Sequence, residues 1–379
     1  MESSFVANPL NDLSKITLNL ELCKICNIDC DNCYLSLENR TKNKKLFKKE
    51  WLKNLANSQV IKNSDYLYVT IVGGELSTLD SKYLEEIIEE IKVLWPKALF
   101  SIVSNFYELK PSFVNLYKKH SYLLETTFDF GRKTFGKDKN KSTEAFLSSF
   151  KKFVEDFSYE SKEKIIDFNY ALNKDSLDYG VEKALDYFSS FSLPPGKQID
   201  IRFDHAINFK DFRSKNMPCD IRSGYPILNT EISYDEFVNY VLEFKRIRDE
   251  RKINNIYIPQ LETKNISSEE RFYGTVGGRK VIAINCEGDI TVNPIFVELK
   301  STFIGNIDRD NLDDCLKSRK YNLLCAREIK RSIECHDCEF YSSCGGGSLF
   351  LGKNDRFGSK ECVGVKGFLN FTERKYETS

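Results

Sequence analysis

Three cysteines with the spacing C-x3-C-x2-C, Cys26, Cys30 and Cys33, constrain the fold of this chain more than any other feature. They follow the apolar run ITLNLEL (16–22), which is typical of a β-strand, so they lie in the loop after the first predicted strand. Twelve cysteines in 379 residues are too few for a disulfide scaffold. The first residues do not form a signal peptide, so we expect an intracellular chain with reduced thiols. Clustered cysteines therefore predict metal binding.

A second group of four cysteines lies near the end of the chain. Cys335, Cys338 and Cys344 have the spacing C-x2-C-x5-C, and Cys362 follows eighteen residues later. Four thiolates are enough to close a metal site, and the spacing alone fits structural zinc slightly better than a closed Fe–S cluster. For the first group, a zinc knuckle completed by Cys23 and a chance spacing both stay open as alternatives.

Apolar runs and amphipathic stretches alternate between residues 16 and 205. The predicted strands are 16–22, 66–72, 99–104, 122–128, 164–171 and 198–203, and the predicted helices are 79–95, 111–119, 142–157 and 177–191. Alternating units with right-handed crossovers form an α/β barrel or an open doubly wound sheet. In both folds the chemistry lies at the carboxyl ends of the strands, so the loops after the strands are where functional residues are expected.

Two further regions follow the alternating part. Ser233 and Glu236 form a capping box before an amphipathic stretch, which predicts a bridging helix. From residue 273 onward, glycines, the hairpin-like run VIAINCEGDITVNPIF and the cysteine-rich tail predict a small domain that metal holds together. The predicted domains are therefore 1–205, 206–272 and 273–379.

The charge balance excludes some classes of partner. Lys plus Arg is 56 and Asp plus Glu is 56, so the formal net charge is zero. The chain therefore has no net positive charge that would attract nucleic acid or an anionic membrane. No apolar run reaches the roughly 18–20 residues that a spanning helix needs. We expect a cytoplasmic protein whose partners include neither nucleic acid nor a membrane.

Polar residues follow several of the predicted strands. Gly73-Gly74-Glu75 comes directly after the run YLYVTIV, where two glycines allow a close backbone approach and a carboxylate can accept a charge-assisted hydrogen bond. Ser104-Asn105 ends the third strand, and Asn169 lies on the fifth. A Gly-Gly turn and ordinary strand-end caps are the alternatives for these residues.

At CNIDCDNCY (26–34) the chain resembles the radical S-adenosylmethionine (SAM) superfamily, whose signature is this cysteine loop after the first strand of a partial (β/α)6 barrel. The resemblance implies that Cys26, Cys30 and Cys33 hold a [4Fe–4S] cluster with one iron open to SAM. Cleavage of SAM would then give a 5′-deoxyadenosyl radical that abstracts hydrogen from a substrate.

The resemblance also implies roles for the polar strand ends. Gly73, Gly74 and Glu75 correspond to the GGE motif that binds the SAM amino group. Ser104 and Asn105 correspond to a polar pair near the ribose, while Asn169 is a weaker candidate and Asp129, after the fourth strand, is weaker still. The family often has an aromatic residue before its last cysteine, where this chain has Asn32. A catalytic acid or base cannot be named from the sequence.

Residues 280–370 resemble a SPASM domain, which carries auxiliary clusters in many radical SAM enzymes. The resemblance implies that Cys335, Cys338, Cys344 and Cys362 hold the outer auxiliary [4Fe–4S] cluster. The inner cluster would need two further cysteines, where this chain has Ser348 and Asn293. We therefore predict a single auxiliary cluster. The remaining cysteines are expected to be buried thiols, and they are Cys23, Cys286, Cys315 and Cys325.

The same resemblance indicates the kind of substrate. SPASM enzymes mostly crosslink, epimerise or oxidise ribosomally made peptides or proteins, so a peptide or small protein is the leading prediction, with an external flavodoxin or ferredoxin as electron donor. Only 25 residues precede Cys26, so we expect no N-terminal peptide-binding domain, and a leader peptide would need another receptor. The alternatives are a dehydrogenase or epimerase of a small molecule such as a sugar, and a zinc-stabilised binding protein without enzymatic activity.

Overall fold

A single sheet runs through the computed structural model, which describes residues 15–30, 33–120, 123–130, 139–160, 166–207, 230–262, 281–326 and 337–339. Its strands are β1 (Lys15–Glu21), β2 (Tyr66–Val72), β3 (Leu99–Val103), β4 (Leu123–Phe128), β5 (Ile166–Leu172), β6 (Ile199–His205), β7 (Ile256–Tyr257), β8 (Val281–Ile284), β9 (Asp289–Thr291) and β10 (Gly305–Asn306). They are ordered β10-β9-β8-β1-β2-β3-β4-β5-β6-β7, and neighbours from β8 to β7 are parallel. The six predicted strands are β1 to β6, each within two residues of its predicted bounds, so the α/β class is confirmed.

Helices connect the strands. They are α1 (Leu37–Lys42), α2 (Trp51–Ala56), α3 (Gln59–Lys62), α4 (Ser81–Leu94), α5 (Pro111–His120), α6 (Lys139–Glu160), α7 (Lys174–Tyr179), α8 (Val181–Ser189), α9 (Tyr234–Glu250), α10 (Pro259–Glu262), α11 (Leu312–Lys317) and α12 (Arg319–Ala326). The predicted helix 177–191 is divided between α7 and α8, because Gly180 adopts a φ of +83° and ends the first of them. Among the described helices none is long and apolar enough to span a membrane.

Helices α4 and α9 each begin at a capping residue that their sequences predict. Asp80 caps α4 by accepting a hydrogen bond from the Lys82 amide at 3.0 Å, and the apolar residues of α4 repeat at helical spacing on its buried face. Helix α9 begins at the predicted capping box, in which Ser233 and Glu236 bond to each other's backbone amides. The predicted helix after residue 233 is therefore confirmed.

Side chains of β4, β5 and β6 alternate between two faces of the sheet. One face packs on aromatic residues of the helices, with the ring of Phe168 centred 5.2 Å from that of Phe150 and the ring of Phe203 centred 5.1 Å from that of Phe244. The opposite side, called the inner face here, carries mostly polar side chains. The hydrophobic core thus lies between the sheet and the helices, and the inner face is left for a functional site.

The C-terminal part of the described chain is attached to the beginning of the barrel. The predicted hairpin is formed by β8 and β9, and β8 pairs in parallel with β1. Asp308 accepts a hydrogen bond from the Trp51 indole at 2.9 Å, and Asp313 accepts one from the Gln59 amide at 2.8 Å. These contacts place residues 281–326 against the segment that follows the first cysteine group.

Candidate functional site

The first cysteine group lies in the loop between β1 and α1. The thiols of Cys26, Cys30 and Cys33 are partly exposed, whereas Cys23 is 1% exposed. Burial raises the pKa of the Cys26 thiol well above its usual range, and the nearby charges of Cys30, Glu75 and Cys33 raise it further. The three thiols are therefore close enough to interact, and the expected position of Cys23 in the core is confirmed.

The loop offers three partly exposed thiols, whereas a structural zinc site has four ligands. The nearby fourth cysteine, Cys23, is buried, and its sulfur donates to the carbonyls of Ile25 at 3.9 Å and Glu75 at 3.8 Å. A [4Fe–4S] cluster held by three thiolates leaves one iron open. The donor set therefore fits such a cluster better than a closed zinc site.

The Gly73-Gly74-Glu75 segment after β2 is bonded directly to the cysteine loop. The Gly74 amide donates to the Cys23 carbonyl at 2.8 Å, and the Glu75 amide donates to the Ile25 carbonyl at 2.8 Å. These two bonds continue the parallel pairing of β1 with β2 beyond the ends of both strands. The backbone of the loop is thus fixed up to Ile25, the residue before Cys26.

Both glycines are required by close packing on this loop. A Cβ at Gly74 would lie 2.2 Å from the Lys24 carbonyl oxygen and 2.3 Å from that of Ile25. A Cβ at Gly73 would lie 3.0 Å from the Cys23 sulfur. The close backbone approach predicted for the glycines is made to the cysteine loop itself, and their contact with SAM remains a prediction.

The Glu75 carboxylate joins the ends of β2 and β3. It is 1% exposed, and its Oε1 accepts hydrogen bonds from the Ser77 amide at 3.0 Å and the Ser104 hydroxyl at 2.8 Å. Its Oε2 accepts one from the Asn105 amide at 2.7 Å. An oxygen of a carboxylate has two lone pairs, so Oε2 can accept one more hydrogen bond. The structure therefore brings together the predicted residues Glu75, Ser104 and Asn105.

The loop after β3 contacts the cysteine loop through two asparagines. The Asn105 amide group donates to Asn27 Oδ1 at 2.8 Å, and Asn27 Nδ2 donates to the Tyr107 carbonyl at 3.1 Å. Phe106, which lies between Asn105 and Tyr107 in the sequence, has a φ of +53°, which is a strained conformation for a bulky residue. Asn27 lies between Cys26 and Cys30, and its contacts could not be predicted because a polar residue in such a loop carries no signal of its partner.

Arg40 on α1 holds the cysteine loop from the other side. Its side chain is buried, and its guanidinium lies 2.9 Å from the Asp29 carboxylate and donates to the Cys30 carbonyl at 3.5 Å. Its own carbonyl accepts a hydrogen bond from the Cys26 amide at 3.0 Å. A guanidinium remains charged, so a fixed positive charge faces this loop. This role could not be predicted from the sequence, since Arg40 stands in an ordinary charged helix.

Glu21, the last residue of β1, is a further buried acid that the sequence analysis missed. It is 1% exposed. Burial raises the pKa of Glu21 to about 8, against the opposing effects of Lys24 and of a hydrogen bond from the Cys286 backbone. Its register with β2 places it on the inner face, beside Val72.

Asn169 lies apart from the residues gathered around Glu75. It is on the inner face of β5, in register with Thr127 and Arg202, and within the described residues no hydrogen bond joins it to the cysteine loop. Asp129, directly after β4, is 7% exposed. The roles expected of these two residues remain predictions.

The second cysteine group falls largely outside the described residues. Cys338 is described, is partly buried and packs against the core, while Cys335, Cys344, Cys362 and also Ser348 lie outside. The predicted auxiliary site therefore stays a prediction.

Three residues expected near that site are described. Asn293 is fully buried and caps a 3-10 turn by accepting a hydrogen bond from the Ile295 amide at 3.0 Å. Cys286 and Cys315 are buried at 2% and 6% exposure, as expected. The side chain of Cys325 is not among those described.

Comparisons with known proteins agree with this geometry. Residues 20–147 match a family model described as a 4Fe-4S single cluster domain, and no curated protein sequence matches the chain. The structure is similar to anSMEcpe with bound AdoMet, with a TM-score of 0.69, 15% identity, and coverage of 96% of this chain and 94% of that one.

Two further similar structures contain peptides. One is anSMEcpe with bound AdoMet and Cp18Cys peptide, with a TM-score of 0.67, 14% identity, and coverage of 96% and 98%. The other is Streptococcus suis SuiB bound to precursor peptide SuiA, with a TM-score of 0.61, 16% identity, and coverage of 93% and 78%. The chain therefore has the mixed α/β fold of radical SAM enzymes with SPASM domains, as the sequence predicted. At this level of identity the likeness concerns the fold alone.

We expect Gly74→Ala to lower the iron content of anaerobically reconstituted protein by about half or more, because its methyl group must displace the backbone of Lys24 and Ile25. Gly73→Ala is the matched comparison and should lose less iron, since its methyl group would meet Cys23 Sγ at 3.0 Å, the Cys23 carbonyl oxygen at 3.1 Å and Leu76 Cδ2 at 3.3 Å, whereas that of Gly74→Ala would meet carbonyl oxygens at 2.2 and 2.3 Å. Iron per chain measures the effect. Wild-type iron content in Gly74→Ala would show that the loop does not depend on this contact.

We expect Glu21→Gln to raise the thermal midpoint relative to wild type, by more at pH 8 than at pH 5. The pKa of Glu21 is about 8 in the folded chain and near 4.5 when unfolded. Stability is therefore lost as the pH rises between these values, because only the unfolded state releases the proton. The loss is on the order of 3 kcal/mol at about 1.4 kcal/mol per pKa unit, and glutamine does not incur it. If the thermal midpoints of Glu21→Gln and wild type differed by the same amount at pH 5 and pH 8, this explanation would be wrong.

Proposed function

We propose that this chain is a radical SAM enzyme. The observation that carries the proposal is the set of three partly exposed thiols on one loop, bonded through Gly74 and Glu75 to the end of the neighbouring parallel strand. When bound, a [4Fe–4S] cluster with three thiolate ligands supplies the electron that cleaves SAM and generates the radical that abstracts hydrogen. The three partly exposed thiols, with Cys23 buried, favour this cluster over a zinc-stabilised binding protein, whose metal would have four ligands.

The residues around Glu75 are proposed to hold SAM. Oxygen Oε2 of Glu75 has capacity for one further hydrogen bond, which suits the ammonium group of SAM. The three donors that already bind this carboxylate fix its orientation, and Ser104 and Asn105 are held beside it. Gly73 and Gly74 contribute by placing this segment on the cysteine loop. Asn169 is proposed as a more distant contact.

The proposed substrate is a peptide or a small protein, which the enzyme would crosslink, epimerise or oxidise in the cytoplasm with an external electron donor. The peptide complexes of anSMEcpe and SuiB, which share this fold, support that choice. A dehydrogenase or epimerase of a small molecule remains the second candidate, because Asn293 caps a turn where the inner auxiliary cluster would need a cysteine.

A single auxiliary [4Fe–4S] cluster is proposed on Cys335, Cys338, Cys344 and Cys362. Cys338 packs against the core of the described chain, which supports a position close to the sheet. Four thiolates leave no iron open, so this cluster would transfer electrons and hold the tail folded, and bond breaking would occur elsewhere.

Substitution of the loop cysteines tests the enzyme assignment. We expect Cys26→Ala, Cys30→Ala and Cys33→Ala each to abolish 5′-deoxyadenosine formation from SAM under reducing, oxygen-free conditions, because each removes a ligand of the reactive cluster. Cys315→Ala is the matched control, since Cys315 is a buried thiol on α11. Wild-type rates in any of the three loop variants would refute the assignment.

Metal analysis tests the auxiliary cluster separately. Anaerobically reconstituted wild type should contain about eight irons with matching sulfide, and Cys338→Ala should contain about four. About twelve irons in wild type would mean that other cysteines complete an inner cluster. Four irons with one zinc would make the tail a zinc domain, and zinc alone would exclude the radical SAM assignment.

A further inference from the structure

The side chain of Asn105 uses both of its amide hydrogens on the cysteine loop. Its Nδ2 donates to Asn27 Oδ1 at 2.8 Å and to the Cys26 sulfur at 3.9 Å. A side-chain amide has two N–H donors, so both are engaged. Asn105 Oδ1 accepts a hydrogen bond from the Tyr107 amide at 2.8 Å. Because a backbone amide can only donate, the atom that faces it is the oxygen, and the nitrogen faces Cys26.

The backbone of Asn105 is held in place as well. Its amide donates to Glu75 Oε2 at 2.7 Å, and the neighbouring Ser104 hydroxyl donates to Oε1 of the same carboxylate at 2.8 Å. The next residue, Phe106, is fully buried and has the positive φ described above. A strained residue of this kind persists only where its surroundings hold it. Asn105 is itself 7% exposed, so its side chain has one orientation and little contact with water.

The Cys26 sulfur accepts hydrogen bonds from two groups among the described residues. One is the Ile28 backbone amide, which belongs to the same loop, and the other is the Asn105 side chain. In the free thiol the sulfur also donates to Asn27 Oδ1 at 4.0 Å. A thiolate bound to iron has no proton to donate, so only the hydrogen bonds that it accepts can act on a cluster. Asn105 is therefore the side-chain donor to this ligand.

A hydrogen bond to a ligand sulfur changes the reduction potential of an Fe–S cluster. The donor withdraws electron density from the thiolate and so stabilises the reduced cluster, which carries more negative charge. Asn105 is neutral, so it acts through this bond and adds no net charge. Removal of the bond is expected to lower the potential.

We propose that Asn105 is a positioning residue that raises the reduction potential of the cluster on Cys26, Cys30 and Cys33 by donating to the Cys26 sulfur. The step that it affects is the reduction of [4Fe–4S]2+ to [4Fe–4S]+ by one electron from the external flavodoxin or ferredoxin, without transfer of a proton. The inference rests on the proposed function and adds a residue that acts on the cluster. It leaves Oδ1, with one unused lone pair, as the side-chain atom of Asn105 that has capacity for SAM.

Redox titration of anaerobically reconstituted enzyme tests the proposal. The reduced cluster is followed by EPR in the absence of SAM, and the variant with Cys26, Cys30 and Cys33 all changed to alanine supplies the spectrum of the auxiliary cluster for subtraction. Asn105→Leu keeps a side chain of similar size without a donor. It should lower the ratio of reduced to oxidised cluster at a fixed solution potential by at least about fivefold. Asn105→Asp also adds a negative charge and should lower this ratio further.

Asn27→Leu is the matched control. It removes the hydrogen bonds that join the cysteine loop to the loop after β3, but it leaves the Asn105 side chain as a donor to Cys26. Its ratio of reduced to oxidised cluster should stay within about twofold of wild type. An equal shift in both leucine variants would assign the effect to the joining of the loops. That result, or no shift in either Asn105 variant, would overturn the proposal.

A spectroscopic measurement does not depend on how well the Asn105→Leu variant folds. Asparagine labelled with 15N in its side-chain amide places a nuclear spin at Asn105 Nδ2. Pulsed EPR of the reduced cluster should detect a 15N coupling in wild type and in Asn27→Leu, because the hydrogen bond connects this nitrogen to a ligand sulfur. The coupling should be absent in Asn105→Asp. Wild type without the coupling, or a coupling that survives in Asn105→Asp, would overturn the proposal.

The KM for SAM separates an effect on the cluster from a contact with SAM. If Asn105 acted on SAM alone, its variants would raise the KM for SAM in 5′-deoxyadenosine formation and leave the SAM-free potential unchanged, which would overturn the proposal. Wild type that forms 5′-deoxyadenosine while Asn105→Leu keeps the wild-type potential would retain the proposed function and lose this role alone. Wild type that binds zinc and no iron would overturn both.

Discussion

The rest of the site depends on the contact between the end of β2 and the cysteine loop. Two backbone hydrogen bonds of 2.8 Å fix the loop, and Gly74 allows the two backbones to meet where any side chain would overlap carbonyl oxygens. The next residue, Glu75, uses its carboxylate to order Ser104 and Asn105 after β3. Three strand ends therefore form one hydrogen-bonded unit that fixes the backbone on which the cysteine loop begins. Preorganisation of this kind lowers the entropy cost of binding a cluster and a cofactor.

Much of this arrangement could be predicted from the sequence, because its signals are local. Strands β1 to β6 follow from runs of apolar residues, and the cysteine loop and the Gly-Gly-Glu segment follow from spacing and position. Arg40, Asn27 and Glu21 could not be predicted, because each depends on a partner or on burial that only the folded chain supplies. The Gly-Gly sequence predicts that another group packs closely against this backbone. It does not show that this group is the backbone of the cysteine loop.

The pairing of the C-terminal part with the first strand also could not be predicted from local sequence patterns. The β8–β9 hairpin is a local pattern, but the parallel pairing of β8 with β1 joins segments more than 250 residues apart and leaves no periodic signal. Its consequence is that Glu287 lies 3.5 Å from Lys24, and Glu298 accepts a hydrogen bond from the Ser36 amide at 3.0 Å, on either side of the cysteine loop. Movement of the C-terminal part would therefore shift the residues that flank the cysteine loop.

The two faces of the sheet contribute differently to stability and to binding. The outer face packs aromatic rings on helices, which buries apolar area and stabilises the fold. The inner face contains carboxyl groups on β1, β4, β5 and β6, yet Val72 and Val103 occupy the same line on β2 and β3. The inner line is thus apolar on β2 and β3 and polar on the strands beside them, so this face contributes less buried apolar area to stability than the aromatic outer face does.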